Sequence, residues 1–150
     1  MEASKTETAA VCHVVALPYP GRGHINPMMN LCKQLVSKAP DILITFIITE
    51  EWLGFIGSDP KPNFLGFVEA VGTKMGAPVE DVLDLLQPPV TAIVIDPYLV
   101  WAVGLGNQRN IPVASLWTMS PSVFSVFHHF ELLLQNGQFL LDFSDLLERV

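Results

Sequence analysis

One segment near the amino end constrains the fold more than any other: an apolar run that stops abruptly at a stretch rich in proline and glycine. Residues 11–17 are nearly all apolar and of strand length, which is typical of a parallel strand buried on both faces. Residues 18–23 hold two prolines and two glycines and predict a loop. Asn26 as cap and Pro27 as first helical residue then predict a helix over 27–38. Strand, loop and helix in this order begin an α/β fold.

The rest of the chain repeats the alternation of strand and helix patterns. Such an order, joined by short loops, predicts a doubly wound, Rossmann-like parallel sheet with right-handed crossovers. The predicted strands are 42–49, 92–95 and 111–116, and the predicted helices are 64–86 with a break before Pro78, 98–108, and a last helix from Ser120 and Pro121 to a stop at Asn136 and Gly137.

Length and composition limit the domain organisation. A chain of 150 residues is long enough for one α/β domain and too short for two. We expect residues 1–10 to be a short disordered lead and residues 11–150 to form the domain. Because 50% of the residues are apolar, we also expect apolar surface that meets a partner, such as a second domain.

Charge and cysteine content exclude several classes of protein. The chain has 15 acidic against 8 basic residues and no basic cluster, which argues against a nucleic-acid ligand. The polar amino end lacks the layout of a secretory signal, and no apolar run approaches the roughly 18–20 residues of a membrane span. Cys12 and Cys32 lie in predicted core elements, so we expect free thiols and a cytoplasmic protein.

Polar residues follow three of the predicted strands. His24, Asp96 and Thr118 come after the strands that end at Leu17, Ile95 and Leu116. In a doubly wound sheet, ligands bind beyond the carboxyl ends of the strands, so these side chains should line one crevice. If His24 and Asp96 meet, the carboxylate fixes the tautomer of the imidazole and leaves the other nitrogen free to take a proton. The alternatives are a structural histidine and a turn aspartate.

Other histidine, aromatic and glycine residues also have more than one interpretation. His13 in an apolar strand is interpreted as a satisfied core residue, and His128 and His129 as packing or surface residues without a metal partner. Trp117 and Phe124 are interpreted as core residues, with a ligand-binding platform as the alternative. Gly21 and Gly23 resemble the start of a dinucleotide fingerprint, but Asn26 takes the place of its third glycine.

The stretch Pro-Tyr-Pro-Gly-Arg-Gly-His-Ile-Asn-Pro-Met at residues 18–28 resembles the amino-terminal signature of plant family-1 UDP-glycosyltransferases. Further stretches agree with that family in order. These are residues 45–52, 93–96, 110–112 and 116–118, and the resemblance covers about residues 11–140.

The resemblance implies a GT-B fold, of which this chain is the amino-terminal, acceptor-binding domain. It implies that His24 is the general base, Asp96 its orienting carboxylate, and that Gly23 and Thr118 contact the donor sugar. Trp117 and Phe124 would contact the small-molecule acceptor. It further implies an inverting transfer of a sugar, glucose above all, from a UDP-sugar co-substrate to a hydroxyl or carboxyl, with no metal and no cofactor.

Two departures from the family pattern are expected to matter. We expect the carboxy-terminal domain that binds the UDP-sugar to be absent and a third strand with its loop to be missing near residue 63, so the sheet is expected to be incomplete. We therefore expect residues 1–150 alone to be inactive and to associate. A non-catalytic fragment that only binds acceptor, and a nicotinamide-dependent oxidoreductase fragment, are the alternatives.

Overall fold

A computed structural model describes residues 12–50 and 64–137 of the chain. These residues fall into two compact units, one up to Thr118 and one from Met119, and each is described by itself. The strands are β1 (Cys12–Leu17), β2 (Ile42–Phe46), β3 (Ala92–Ile95) and β4 (Val113–Ser115), and the helices are α1 (Arg22–Lys38), α2 (Phe64–Thr73), α3 (Gly76–Leu85), α4 (Trp101–Gln108), α5 (Pro121–His128) and α6 (Phe130–Gln135).

The first unit contains a parallel sheet in the order β2-β1-β3-β4. Val14 of β1 lies opposite both Ile44 of β2 and Ala92 of β3, and Ile93 of β3 lies opposite Val113 of β4. β1 is buried from His13 to Leu17, as expected of a parallel strand with a neighbour on each side. The prediction of an α/β fold with a parallel sheet is confirmed.

Helices cover both faces of this sheet. On one face, Val15 and Leu17 of β1 pack against buried residues of α2, α3 and α4. On the opposite face, Ala16 packs against Met28 and Cys32 of α1. The alternation along β1 sends neighbouring side chains to opposite faces, which gives the doubly wound arrangement that the sequence predicts.

The start of α1 differs from the prediction. The helix begins at Arg22 and not at Pro27, because the carbonyl of Gly21 already accepts from the backbone N–H groups of His24 (3.0 Å) and Ile25 (2.8 Å). Pro27 lies inside the helix, where it costs one backbone hydrogen bond to the carbonyl of Gly23. His24 is consequently in the first turn of a helix and not in a loop before one.

Several other boundaries are shorter than predicted. β2 ends at Phe46, β4 covers only Val113–Ser115, and α4 begins at Trp101. The helical region after residue 63 is two helices, and Pro78 falls in the first turn of the second, where proline is tolerated. The predicted disordered lead and the predicted deletion near residue 63 lie outside the described residues.

The second unit contains α5 and α6. Ser120 caps α5 by accepting from the backbone N–H of Val123 at 3.3 Å, and Gly137 has a φ of 66° after α6, as the predicted stop requires. The predicted single helix is broken at His129, although no glycine or proline marks that position. His128 stacks on Phe124 with ring centroids 5.8 Å apart, and both histidines are exposed, which confirms their assignment as packing or surface residues.

Three sequence predictions concern buried polar or sulfur-containing residues. His13 is 1% exposed and fully satisfied, with Nδ1 2.6 Å from the carbonyl of Pro88 and Nε2 2.8 Å from the hydroxyl of Thr45, so the core interpretation is confirmed. Cys32 is buried, but Cys12 is exposed because it begins β1, so placing Cys12 in the core was wrong. Both thiols are free.

None of the helices in the described ranges is long and apolar enough to cross a membrane.

Candidate active site

His24, Asp96 and Thr118 meet at the carboxyl edge of the sheet. His24 follows β1 in the first turn of α1, Asp96 directly follows β3, and Thr118 lies three residues after β4. Because β3 lies between β1 and β4, the segments that leave these strands are neighbours. The sheet order therefore brings together side chains that are up to 94 positions apart in sequence.

Asp96 is a buried and satisfied carboxylate. Its residue is 0% exposed, Oδ2 lies 2.7 Å from Nδ1 of His24, and Oδ1 accepts from the backbone N–H of Tyr98 at 3.1 Å. Its own backbone N–H donates to the carbonyl of Leu17 at 2.9 Å, which ties the end of β3 to the end of β1. Both oxygens of this buried carboxylate have a hydrogen-bond partner, so Asp96 can orient a histidine.

These contacts determine the tautomer of His24. A carboxylate only accepts hydrogen bonds, so Nδ1 carries the proton that is donated to Asp96. Nε2 is then unprotonated, and it has no hydrogen-bond partner among the described residues. The His24 side chain is 22% exposed, and no buried side-chain nitrogen among the described residues lacks a hydrogen-bond partner. The unpaired Nε2 must therefore meet solvent, where an incoming hydroxyl can reach it. The pair is therefore arranged so that Nε2 takes a proton while Asp96 stabilises the resulting imidazolium.

Thr118 contacts Nδ1 of His24, the nitrogen that donates to Asp96. Its Oγ1 lies 3.1 Å from Nδ1 of His24, beside the carboxylate of Asp96. Nδ1 has only one proton, so the hydroxyl oxygen of Thr118 acts as a second, weaker acceptor of it. The hydroxyl proton of Thr118 remains available to an oxygen of a ligand. Thr118 was predicted at this edge of the sheet, but its contact with His24 was not predicted.

Two tyrosines that the sequence analysis missed lie against His24. The ring centroids of Tyr19 and Tyr98 are 5.3 Å and 5.6 Å from that of His24. Burial raises the pKa of the Tyr19 phenol above 10.0, and the negative charge of Asp96 and the presence of Tyr98 raise it further. The sequence positions of the two tyrosines could have identified them, since Tyr19 is in the loop after β1 and Tyr98 is two residues after Asp96.

The remaining predicted site residues are placed as follows. Gly23 is exposed in the first turn of α1, and a Cβ built on it meets nothing within 4 Å, so a ligand has room to approach its backbone. Trp117 is half-buried in the segment after β4. Phe124 belongs to the second unit, where it is 49% exposed. Among residues 12–50 and 64–137, no three metal-ligating side chains form a group that could hold a metal ion.

Sequence comparison relates this chain to plant proteins. It is 50% identical to UDP-glycosyltransferase 87A2 of Arabidopsis thaliana over 154 residues, which cover 89% of this chain and 34% of the relative. It is 48% identical to UDP-glycosyltransferase 87A1 of the same plant, again over 34% of the relative. The chain belongs with the plant UDP-glycosyltransferases. It spans about a third of the length of these relatives. No family model matches the chain.

Solved glycosyltransferase structures share the fold. A UDP-glucose:anthocyanidin 3-O-glucosyltransferase in complex with UDP matches 89% of this chain and 36% of its own, with a TM-score of 0.69 and 20% identity. LpCGTa in complex with UDP matches 87% of this chain and 35% of its own, with a TM-score of 0.67 and 23% identity. The prediction of a domain from a GT-B UDP-glycosyltransferase is thus confirmed at the level of fold.

Part of the first relative has no counterpart in this chain. The alignment spans 154 positions, while 89% of this chain supplies about 134 residues, so about 20 positions of the relative have no counterpart here. That these positions are missing near residue 63 stays a prediction.

Proposed function

We propose that this chain supplies the acceptor-binding and base-carrying part of an inverting UDP-glycosyltransferase. The reaction transfers a sugar, with glucose as the first candidate, from a UDP-sugar to a hydroxyl or carboxyl of a small molecule. The observation that carries the proposal is the His24–Asp96 pair with its open Nε2, in a chain that is 50% identical to a UDP-glycosyltransferase. Because the chain spans about a third of that relative, residues outside this segment are expected to hold the UDP.

The geometry suits His24 to general base catalysis. An acceptor hydroxyl donates to Nε2 and loses its proton as its oxygen attacks the anomeric carbon of the sugar. UDP leaves from the opposite face, so the configuration at the anomeric carbon inverts. Asp96 stabilises the imidazolium as it forms, because its buried carboxylate lies 2.7 Å from Nδ1. The UDP-sugar is consumed as a co-substrate, and the proposal requires neither a metal nor a resident cofactor.

The other predicted residues receive binding roles. Thr118 can donate its free hydroxyl proton to the donor sugar while its oxygen stays near His24. The open backbone at Gly23 leaves space for the same sugar, and Trp117 is a proposed contact for the acceptor. Both cysteines are free thiols, which supports activity in the cytoplasm.

The alternatives are less well supported. A nicotinamide-dependent oxidoreductase needs the glycine-rich turn before its helix, but Gly23 lies within α1 and Asn26 takes the place of the third glycine. Neither this class nor a binding-only fragment is favoured by the relatives, which are UDP-glycosyltransferases.

The test is a chimaera in which residues 1–150 replace the aligned third of UDP-glycosyltransferase 87A2. The purified chimaera is checked for folding and for UDP binding, then incubated with a UDP-sugar and a panel of phenols, alcohols and acids. We expect acceptor-dependent UDP release and a glycoside of inverted configuration by NMR. A folded, UDP-binding chimaera that yields no product, or a product of retained configuration, would contradict the proposal.

A further inference from the structure

The imidazole of His24 needs more than one contact to point in a single direction. Its hydrogen bond to Asp96 fixes Nδ1, but a ring held at one atom can still rock about that bond. Displacing a catalytic group by about 1 Å can lower a rate by on the order of 10²-fold. Other contacts must therefore hold the rest of the ring.

Two tyrosine rings make such contacts. Tyr19 meets His24 at a centroid distance of 5.3 Å and a tilt of 56°, and Tyr98 meets it at 5.6 Å and 69°. The two tyrosines also meet each other at 5.8 Å, so the three rings form one cluster. Phe67 of α2 packs edge-on against Tyr19 at 6.1 Å and extends the support toward the core. Tilted and edge-on geometries of this kind are favourable for aromatic pairs.

The tyrosines come from two of the segments that follow strands of the site. Tyr19 lies between β1 and α1, and the backbone N–H of Tyr98 donates to Oδ1 of Asp96 at 3.1 Å. The backbone of Gly21 lies beside both rings, since a Cβ built on it would be 3.6 Å from Cδ2 of His24 and 4.0 Å from Cδ1 of Tyr19. Within the described residues these contacts leave Nε2 of His24 without a hydrogen-bond partner.

We propose that Tyr19 and Tyr98 are positioning residues, which hold the imidazole of His24 with Nε2 open through contacts of their rings and not through their hydroxyls. The catalytic consequence rests on the proposed function. The orientation itself does not, so it can be measured without any turnover.

The first arm of the experiment is long-range ¹H–¹⁵N NMR of the histidine rings in the folded chimaera, labelled with ¹⁵N-histidine. The ring-removing variants are Tyr98→Ala and Tyr19→Leu, the ring-keeping variants are Tyr98→Phe and Tyr19→Phe, and Val100→Ala is the control. Tyr98 is 48% exposed, so its truncation removes little core, and Val100 is 73% exposed in the same loop. His13, whose Nδ1 proton must face the carbonyl of Pro88, is an internal reference for an intact fold.

We expect both ring-removing variants to move the two ¹⁵N shifts of His24 toward the average of its tautomers and to speed exchange of the Nδ1 proton. The Phe variants and Val100→Ala should match the wild-type spectrum, and His13 should be unchanged throughout. Unchanged His24 signals in Tyr98→Ala and Tyr19→Leu, with His13 also unchanged, would overturn the proposal. So would Phe variants that behave like the ring-removing ones.

The second arm measures turnover in the chimaera. Each ring-removing variant should lower kcat roughly 10-fold with a smaller change in the acceptor KM, and each Phe variant should stay within about 2-fold of wild type. Full kcat in the ring-removing variants would overturn the positioning role. If His24→Ala retains activity while the NMR effect is present, the proposed function fails and the ring contacts remain established.

Discussion

Nδ1 of His24 lies 2.7 Å from Oδ2 of Asp96, across 72 positions of sequence. The contact joins the first turn of α1 to the end of β3, and the backbone bond from Asp96 to Leu17 holds the two segments together. Because both oxygens of the carboxylate are occupied, its hydrogen-bonding direction is fixed. The predictions below follow from this arrangement and from the packing beneath it.

Replacing the carboxylate tests the orientation of the base. Asp96→Asn keeps the shape of the side chain, but its amide can donate to Nδ1 and favour the wrong tautomer. It also cannot stabilise an imidazolium. In the chimaera, kcat should fall by on the order of 10²-fold to 10⁴-fold, while thermal unfolding and UDP binding change little. Wild-type turnover in this variant would make Asp96 a turn residue.

Thr118 tests how the sugar is contacted. Thr118→Val removes the hydroxyl, which is typically worth about 1 kcal/mol, or about 5-fold in kcat/KM. If the free hydroxyl proton contacts the sugar, the loss should differ among UDP-sugars that differ in one hydroxyl group. Thr118→Ser is the matched control and should retain most activity. An equal loss for every donor would show that Thr118 acts only through its contact with His24.

Two glycines of α4 form a matched pair for a stability test. A Cβ on Gly106 would overlap Cγ2 of Val113 and lie 2.9 Å from the carbonyl oxygen of Ile111, whereas a Cβ on Gly104 meets nothing within 4 Å. Gly106→Ala should lower the free energy of unfolding by roughly 1–3 kcal/mol through overpacking. Gly104→Ala should raise it by about 0.5–1 kcal/mol, because alanine is the better helix former. Equal effects in urea denaturation would contradict the packing of α4 on β4.

The Tyr19 phenol predicts a loss of stability at high pH. Burial raises the pKa of this phenol above 10.0, and the charge of Asp96 and the neighbouring Tyr98 raise it further. The phenol in the folded chain therefore keeps a proton that it releases in the unfolded chain. The free energy of unfolding should therefore fall as the pH rises from about 10 through the folded pKa. Tyr19→Phe should remove this part of the fall. The chain has two tyrosines, so NMR of labelled tyrosine in Tyr98→Phe reports Tyr19 alone. An ordinary pKa there would contradict the burial.

The elements that the sequence predicts best are those whose burial shows in a short pattern. β1 and β3 are nearly continuous apolar runs, and the parallel order then places His24, Asp96 and Thr118 at one edge. The start of α1 was missed because proline statistics favour Pro27 at the first turn, while Gly21 closes the turn earlier through its carbonyl.

The side-chain contacts around His24 could not be read from the sequence. In the sequence pattern, nothing distinguishes Tyr19 and Tyr98 from other loop residues. Their ring contacts depend on the directions that two separate loops take in the fold. The break at His129 also has no sequence signal, since neither glycine nor proline stands at that position. Local sequence patterns predict the strands and the positions where they end. Contacts between side chains of different loops can be seen only in the folded structure.

The most direct test of the account is the turnover of the chimaera with His24→Ala. Since Nε2 of His24 is the proposed proton acceptor, kcat should fall by on the order of 10²-fold to 10⁴-fold while the affinity for UDP-sugar stays nearly unchanged. His13→Gln is not a suitable control because His13 is buried in the core, so His128→Gln, at an exposed histidine, serves instead. A His24→Ala chimaera that keeps turnover within about 2-fold of wild type would contradict His24 as the general base.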